Sequence, residues 1–127
     1  LPIASGSIDV LVSLHTLEHI YYLGEFMEEV FRILKLGGRQ YFVIPTEGSL
    51  LFYLGRHFVT GPHVKKKYNL DVNYIMDREH INDAKRVLKF LRLYFPNMKK
   101  SFWPLPFFRS INMNVMIWGS CRKTAKI

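Results

Sequence analysis

Two apolar runs joined by a helix-period stripe constrain this chain more than any other feature. Ile8 to Leu14 reads Ile-Asp-Val-Leu-Val-Ser-Leu, short, β-branched and apolar on both faces, which suits a strand buried inside a parallel sheet. Leu23, Phe26, Met27, Val30, Phe31 and Leu34 then recur at helical spacing and leave Glu25, Glu28 and Glu29 for water. Gly37-Gly38 is expected to end that helix, since glycine takes the left-handed cap conformation. Arg39 to Ile44 is a second apolar run, stopped by Pro45. The pattern predicts parallel strands over 8–14 and 39–45, with a helix over 22–35 crossing between them in the right-handed sense.

Beyond Pro45 the pattern loosens as far as His80. Leu50 to Leu54 fits one or two helical turns, and Thr60-Gly61-Pro62 is expected to break whatever precedes it. Lys65, Lys66 and Lys67 read as exposed. Ala84, Val87, Leu88, Leu91 and Phe95 mark a second amphipathic helix, with Asn82 or Asp83 as its N-cap and Pro96 ending it. Phe102 to Phe107 is extended but contains Pro104 and Pro106, so it reads as an edge strand or a loop. Asn112 to Gly119 alternates apolar and polar residues as a strand does, and turn residues near Arg109-Ser110 suggest an antiparallel hairpin. The predicted order is strand, helix, strand, insertion over 46–80, helix, then two antiparallel strands.

At 127 residues the chain is at most one domain. A hydrophobic share of 49% and an aromatic share of 15% exclude disorder. No apolar run approaches the roughly 18–20 residues that a membrane helix needs, and no signal peptide is visible. Cys121 is the only cysteine, which excludes an internal disulfide and fits a reducing, cytoplasmic setting. The net charge of +8 is unevenly spread. Residues 1–54 carry three basic and six acidic residues, whereas residues 55–127 carry fifteen and four. A basic half of this kind attracts an anionic small molecule, a membrane surface or nucleic acid, or simply solvates its own helix faces.

In open α/β sheets ligands bind beyond the carboxyl ends of the strands. That rule selects Ser13, Leu14 and His15 at the end of the first strand, Thr16 to Ile20 after it, and Thr46, Glu47 and Gly48 after the second. The helix near residue 84 must start at the same edge, which adds Glu79, His80 and Asn82. His15 and His19 are the candidate proton acceptors, set against a packing role for His19. Glu18 fits the first helical turn, where a carboxylate is favoured by the dipole. No spacing of ligands argues for a metal: His15 ends a strand and need not share a face with His19, and a zinc site needs three or four ligands.

The residues Leu1-Pro2-Ile3, Asp9-Val10-Leu11-Val12-Ser13, Leu17-Glu18-His19 and Leu34-Lys35-Leu36-Gly37-Gly38 together resemble the second half of the class I S-adenosylmethionine (AdoMet) methyltransferases of small-molecule, methyltransferase type 11-like kind. Leu36 stands where that family's pattern has proline. The resemblance implies the C-terminal part of a Rossmann-like fold, with AdoMet as cofactor and methyl transfer to a small molecule such as a glycan, lipid-linked or secondary-metabolite intermediate. It makes Ser13, Leu14 and His15 the cofactor contacts and His15 and His19 the catalytic candidates. Residues 46–80 become an acceptor-side insertion, with Glu47, Tyr53, Arg56, Glu79 and His80 facing an acceptor that is anionic in one reading. The family's glycine-rich loop and ribose-binding acid precede this pattern. The expectation is therefore that residues 1–127 are a truncated portion of one methyltransferase domain, inactive in isolation, binding AdoMet weakly and exposing the first strand as an edge.

Rival readings are a catalytically empty fragment and a basic module for nucleic acid or membrane surfaces. Phe42, Phe52, Phe90 and Trp118 are scattered over separate elements with no RNA-binding sheet signature, so no nucleic acid partner is expected, while peripheral membrane contact stays open.

Overall fold

The computed structural model describes residues 2–124; Leu1, where the family-like pattern opens, lies outside them. Strand β1 (Ile8–Leu14) leads through a single 3-10 turn, Leu17–His19, into helix α1 (Leu23–Ile33). Strand β2 (Leu34–Pro45) follows directly. Short helices α2 (Leu50–Gly55), α3 (Gly61–Tyr68) and α4 (Val72–Glu79) fill the insertion, then come α5 (Ala84–Tyr94), β3 (Lys99–Trp103) and β4 (Met116–Arg122). The strands form one sheet in the order β1-β2-β4-β3. β1 and β2 are parallel, and β4 runs antiparallel to both β2 and β3. The βαβ unit and the terminal antiparallel pair are as expected.

Helices α1 and α5 cover one face of the sheet. Met27, Val30 and Phe31 of α1 and Val87, Leu88 and Leu91 of α5 meet Phe42, Ile44, Phe102 and Ile117 in a single buried cluster. The other face is open among the described residues. Val10, Val12 and Leu14 are 55–59% exposed, and Tyr41, Trp103 and Trp118 continue the patch across the sheet. β1 is therefore an edge strand with one covered face, where its continuous apolar run suggested two. Such an edge leaves a row of backbone groups unpaired and ready to pair.

The helix termini depart from the sequence reading. Helix α1 ends at Ile33, because Leu34 is already extended and pairs with Ile8. The buried ammonium of Lys123 donates to Phe31 O at 2.5 Å and, just past the helix, to Leu34 O at 2.8 Å, while Arg32 O and Ile33 O accept from Gly6 and Ser7 N–H. A cation at a helix C-terminus complements the dipole, and it takes the place of the expected glycine cap. Gly37 (φ +84°) instead serves a bulge, which carries the register from Ile8↔Leu34 to Val10↔Arg39.

Pro62 does not stop the helical path. The backbone stays right-handed through Gly55 and Gly61, and residues Arg56–Thr60 widen into a π turn in which Gly61 N–H reaches Arg56 O. The path stays helical through Pro62, which has no N–H to donate, so α2 and α3 form one continuous path.

Strand β4 also starts later than the alternation implied. Asn114 is fully buried, and its amide donates to the carbonyls of Phe108 and Ser110 while its Oδ1 accepts from Leu105 N–H. This side chain closes the 105–110 loop, and Ile111–Met113 forms a turn in place of ladder pairing. No helix among the described residues is long and apolar enough to cross a membrane.

Candidate functional site

Three segments meet at the carboxyl ends of β1 and β2. The first is the turn after β1. His15 takes φ +47°, a conformation uncommon outside glycine and asparagine, and its N–H donates to Val43 O at 3.0 Å. This sharp exit carries the chain straight into Leu17–His19, with Leu17 and Glu18 both buried. The second segment is Thr46–Ser49. Thr46 is fully buried, its Oγ donates to Asn114 O, and Ser49 caps α2 by accepting from Phe52 N–H. Glu47 between them is thereby held inward, 7% exposed.

The third segment, Glu79–Asp83, is stitched to the first. Ile81 and Asn82 N–H both donate to Glu18 O, and the Asn82 amide donates to Leu17 O at 3.1 Å and Ile20 O at 2.7 Å. Asp83, not Asn82, is the N-cap of α5, accepting from Arg86 N–H at 2.7 Å. Asn82 is instead the clamp between the two loops. Asn82→Ala is expected to destabilise the chain by about 2 kcal/mol, since it leaves two carbonyls without their donor in a buried place. Urea unfolding checks this; a loss near zero would mean that water satisfies both carbonyls.

The stitched loops gather a polar cluster. Glu47 Oε2 lies 2.5 Å from His80 Nδ1, and Glu47 Oε1 lies 3.7 Å from an Arg56 guanidinium nitrogen. The His80 contact has ion-pair distance but lies off the direction of a ring N–H hydrogen bond. His80 meets the ring of His19 edge-on, with centroids 4.6 Å apart. His19 Nδ1 sits 2.7 Å from Glu79 O, so a backbone carbonyl holds this ring. Glu18 faces His15, at 3.5 Å. Burial pushes the Glu47 carboxyl above the usual carboxylate range, opposed by His80 and Arg56 and reinforced by the second buried carboxylate, Glu18.

The structure thus brings Glu18, His19, Glu47, Arg56 and His80 together, with His15 at the rim. Leu14 is exposed beside it, on the open face of the sheet. The Ser13 side chain is buried on the opposite, helix-covered face. Tyr53 points outward, stacked on His57, and the Glu79 carboxylate pairs with Arg78 near the surface. Asn82 as a clamp and Glu18 as a buried acid were not legible as such, because both depend on contacts some sixty residues apart in sequence. Burial pushes the Cys121 thiol up to about 12, which disfavours its reactive thiolate at ordinary pH. A groove of about 910 Å³ lined by Phe31, Leu34, Leu93 and Tyr94 lies at the amino ends of β1 and β2, away from this cluster. The groove walls are chiefly apolar, and the strand-end rule favours the carboxyl edge as the place of a ligand.

Comparison with known proteins bears on the fold and on the first third of the sequence. Residues 1–42 match the family model of a methyltransferase domain. A curated relative from Mycolicibacterium smegmatis, described as a probable S-adenosylmethionine-dependent methyltransferase, is 32% identical over 69 residues. That match covers 54% of this chain and 26% of the relative, so the chain spans about a quarter of that protein. A solved methyltransferase from Archaeoglobus fulgidus superposes with a TM-score of 0.61 at 15% identity, over 95% of this chain and 62% of its own. One from Thermotoga maritima, described as a possible histamine N-methyltransferase, gives 0.60 at 17%, over 97% and 59%. The cyclase SpnF gives 0.57 at 12%, over 99% and 53%, so the fold is not tied to one reaction. Residues 1–42 thus carry methyltransferase-domain sequence, and the described residues have the fold of solved AdoMet-dependent methyltransferases.

Proposed function

We propose that the protein carrying this chain transfers a methyl group from AdoMet to a small-molecule acceptor, and that the Glu47–His80 pair faces the acceptor. The observation that carries this reading is the buried Glu47 carboxylate beside the partly buried His80 imidazole at the carboxyl edge of a sheet with the methyltransferase fold. AdoMet supplies an electrophilic methyl group when bound. Leu14 and His15 are the residues of this chain that fit its adenosine end, because one offers an exposed apolar side chain and the other a polar rim at the strand terminus.

What the cluster adds is proton chemistry. Transfer to a hydroxyl or amine requires that the acceptor lose a proton, and a positioned imidazole takes it. With Glu47 at Nδ1, the Nε2 of His80 is the nitrogen left for the acceptor, and the anionic carboxylate stabilises the imidazolium that forms. Arg56 beside Glu47 keeps a positive charge at the same place, which favours an acceptor bearing negative charge. His19, packed edge-on against His80, fixes the ring and contributes a second imidazole at the rim. The insertion over 46–80 supplies both Glu47 and His80, which supports its reading as the acceptor side.

Incubation of the protein with AdoMet and a pool of small anionic metabolites tests the reading. S-adenosylhomocysteine should appear in step with one methylated small molecule. Acceptor consumption without S-adenosylhomocysteine would point to a non-methylating reaction on the same fold and overturn the proposal.

A further inference from the structure

The helical path from Leu50 to Tyr68 has an unusual orientation. None of its residues is buried. Leu50, Tyr53, Leu54 and Phe58 stand at i, i+3, i+4 and i+8, a spacing that ordinarily faces a core. Here that stripe faces outward: Leu50 and Tyr53 are each 59% exposed and Phe58 is 70% exposed. Val59, next to Phe58, adds to it. The charge of the segment is one-sided. No Asp or Glu occurs from Gly48 to Leu70, while Lys65, Lys66 and Lys67 close the helix, all exposed.

We infer that the Leu50–Tyr68 helix seats on an anionic lipid surface, with Leu54, Phe58 and Val59 entering the headgroup boundary and Lys65–Lys67 meeting lipid phosphates. An outward apolar stripe beside a lysine cluster is the composition of a helix that lies in the plane of a membrane interface. The helix is too short and too polar to cross. Charge complementarity selects the partner. Three exposed lysines and no carboxylate favour an anionic surface by about 1 kcal/mol for each lysine, or about a hundredfold together. A nucleic acid would engage the lysines but leave Phe58 and Val59 in water, so it accounts for only half of the feature. Arg56 is turned inward to Glu47, so the contact with lipid does not draw on the acceptor site.

The test is co-sedimentation of the full chain with phosphatidylcholine vesicles and with vesicles that also contain phosphatidylglycerol, in the absence of AdoMet. The outcome is thus independent of methyl transfer. Binding to the anionic vesicles should exceed binding to the neutral ones at least about tenfold and weaken with salt. Lys65→Gln, Lys66→Gln and Lys67→Gln combined should lower it about a hundredfold. Leu54→Ser with Phe58→Ser should lower it about tenfold while circular dichroism stays unchanged, because neither side chain supports the core. Equal binding to both vesicle types would overturn the inference. So would binding indifferent to Leu54→Ser and Phe58→Ser, which would mark a diffuse charge effect. Self-association abolished by those two changes, without vesicle binding, would assign the stripe to a second copy of the chain and overturn it as well.

Discussion

In the protein that carries this chain, His80→Gln is expected to lower the proposed methyl transfer by about a hundredfold while leaving the melting temperature within a few degrees of wild type. The loss follows from removing a positioned proton acceptor, an effect that typically spans roughly two to four orders of magnitude. Glutamine keeps most of the ring's volume and a polar atom near Glu47, so the fold should tolerate it. His19→Ala is the informative comparison. It removes the ring that packs edge-on against His80 and so should have a smaller effect on turnover, contrary to the sequence, where His19 looked the better catalytic candidate. If His19→Ala proves the more damaging of the two, the roles assigned here are reversed.

Glu47→Gln separates chemistry from stability through pH. The folded-state pKa of Glu47 is raised, with burial as the chief cause. A raised carboxyl binds its proton more tightly in the folded than in the unfolded state. Its contribution is therefore fully present below the ordinary carboxylate pKa of about 4.3 and is lost as pH rises through the raised value. The stability advantage of wild type over Glu47→Gln should accordingly shrink as pH rises across that window, whereas wild-type activity should rise there as Glu47 ionises and draws the proton toward His80. Thermal melts and turnover on both proteins at matched pH check the two trends. A stability gap that widens with pH would show that the ion pair outweighs burial.

Gly119→Ala should cost about 3 kcal/mol or more, the largest stability loss expected from a single methyl group in this chain. Gly119 lies in β4, paired with Phe42 on one side and Lys100 on the other. A Cβ there would meet Lys99 O at 2.2 Å and Phe42 Cζ at 2.7 Å. Both distances are far inside van der Waals contact. The first neighbour is backbone, so β3 itself must shift, and the second is a core ring with no space behind it. Overpacking of a close-packed core usually costs about 1–3 kcal/mol, and a clash with backbone belongs at the upper end or beyond. Urea denaturation of Gly119→Ala beside Gly55→Ala, whose added Cβ meets nothing within 4 Å, isolates the steric part. A loss below about 1 kcal/mol would mean that β3 yields easily.

The sequence by itself determined the parts governed by local periodicity. The run Ile8–Leu14, the stripe from Leu23 to Phe31 and the run ending at Pro45 admit few arrangements other than a βαβ unit, because a period of two and a period of 3.6 are written in adjacent residues. The strand-end rule then placed His15, Glu47 and His80 at one edge without coordinates. What it left undecided required knowing which distant groups compete for the same backbone. Asn114 reads as one more polar position in an alternating strand until Phe108 and Ser110 capture its amide. Gly37 reads as a helix cap until Lys123, Gly6 and Ser7, distant in sequence, satisfy the helix-end carbonyls first. Pro62 reads as a break until a π turn just before it keeps the path helical. Leu50, Tyr53, Leu54 and Phe58 carry a core-like spacing, and only the packing of the fold shows that they face outward. Periodicity reports how a side chain sits relative to its own helix or strand. Which side of that element is covered depends on segments far along the chain, and so only tertiary structure decided it.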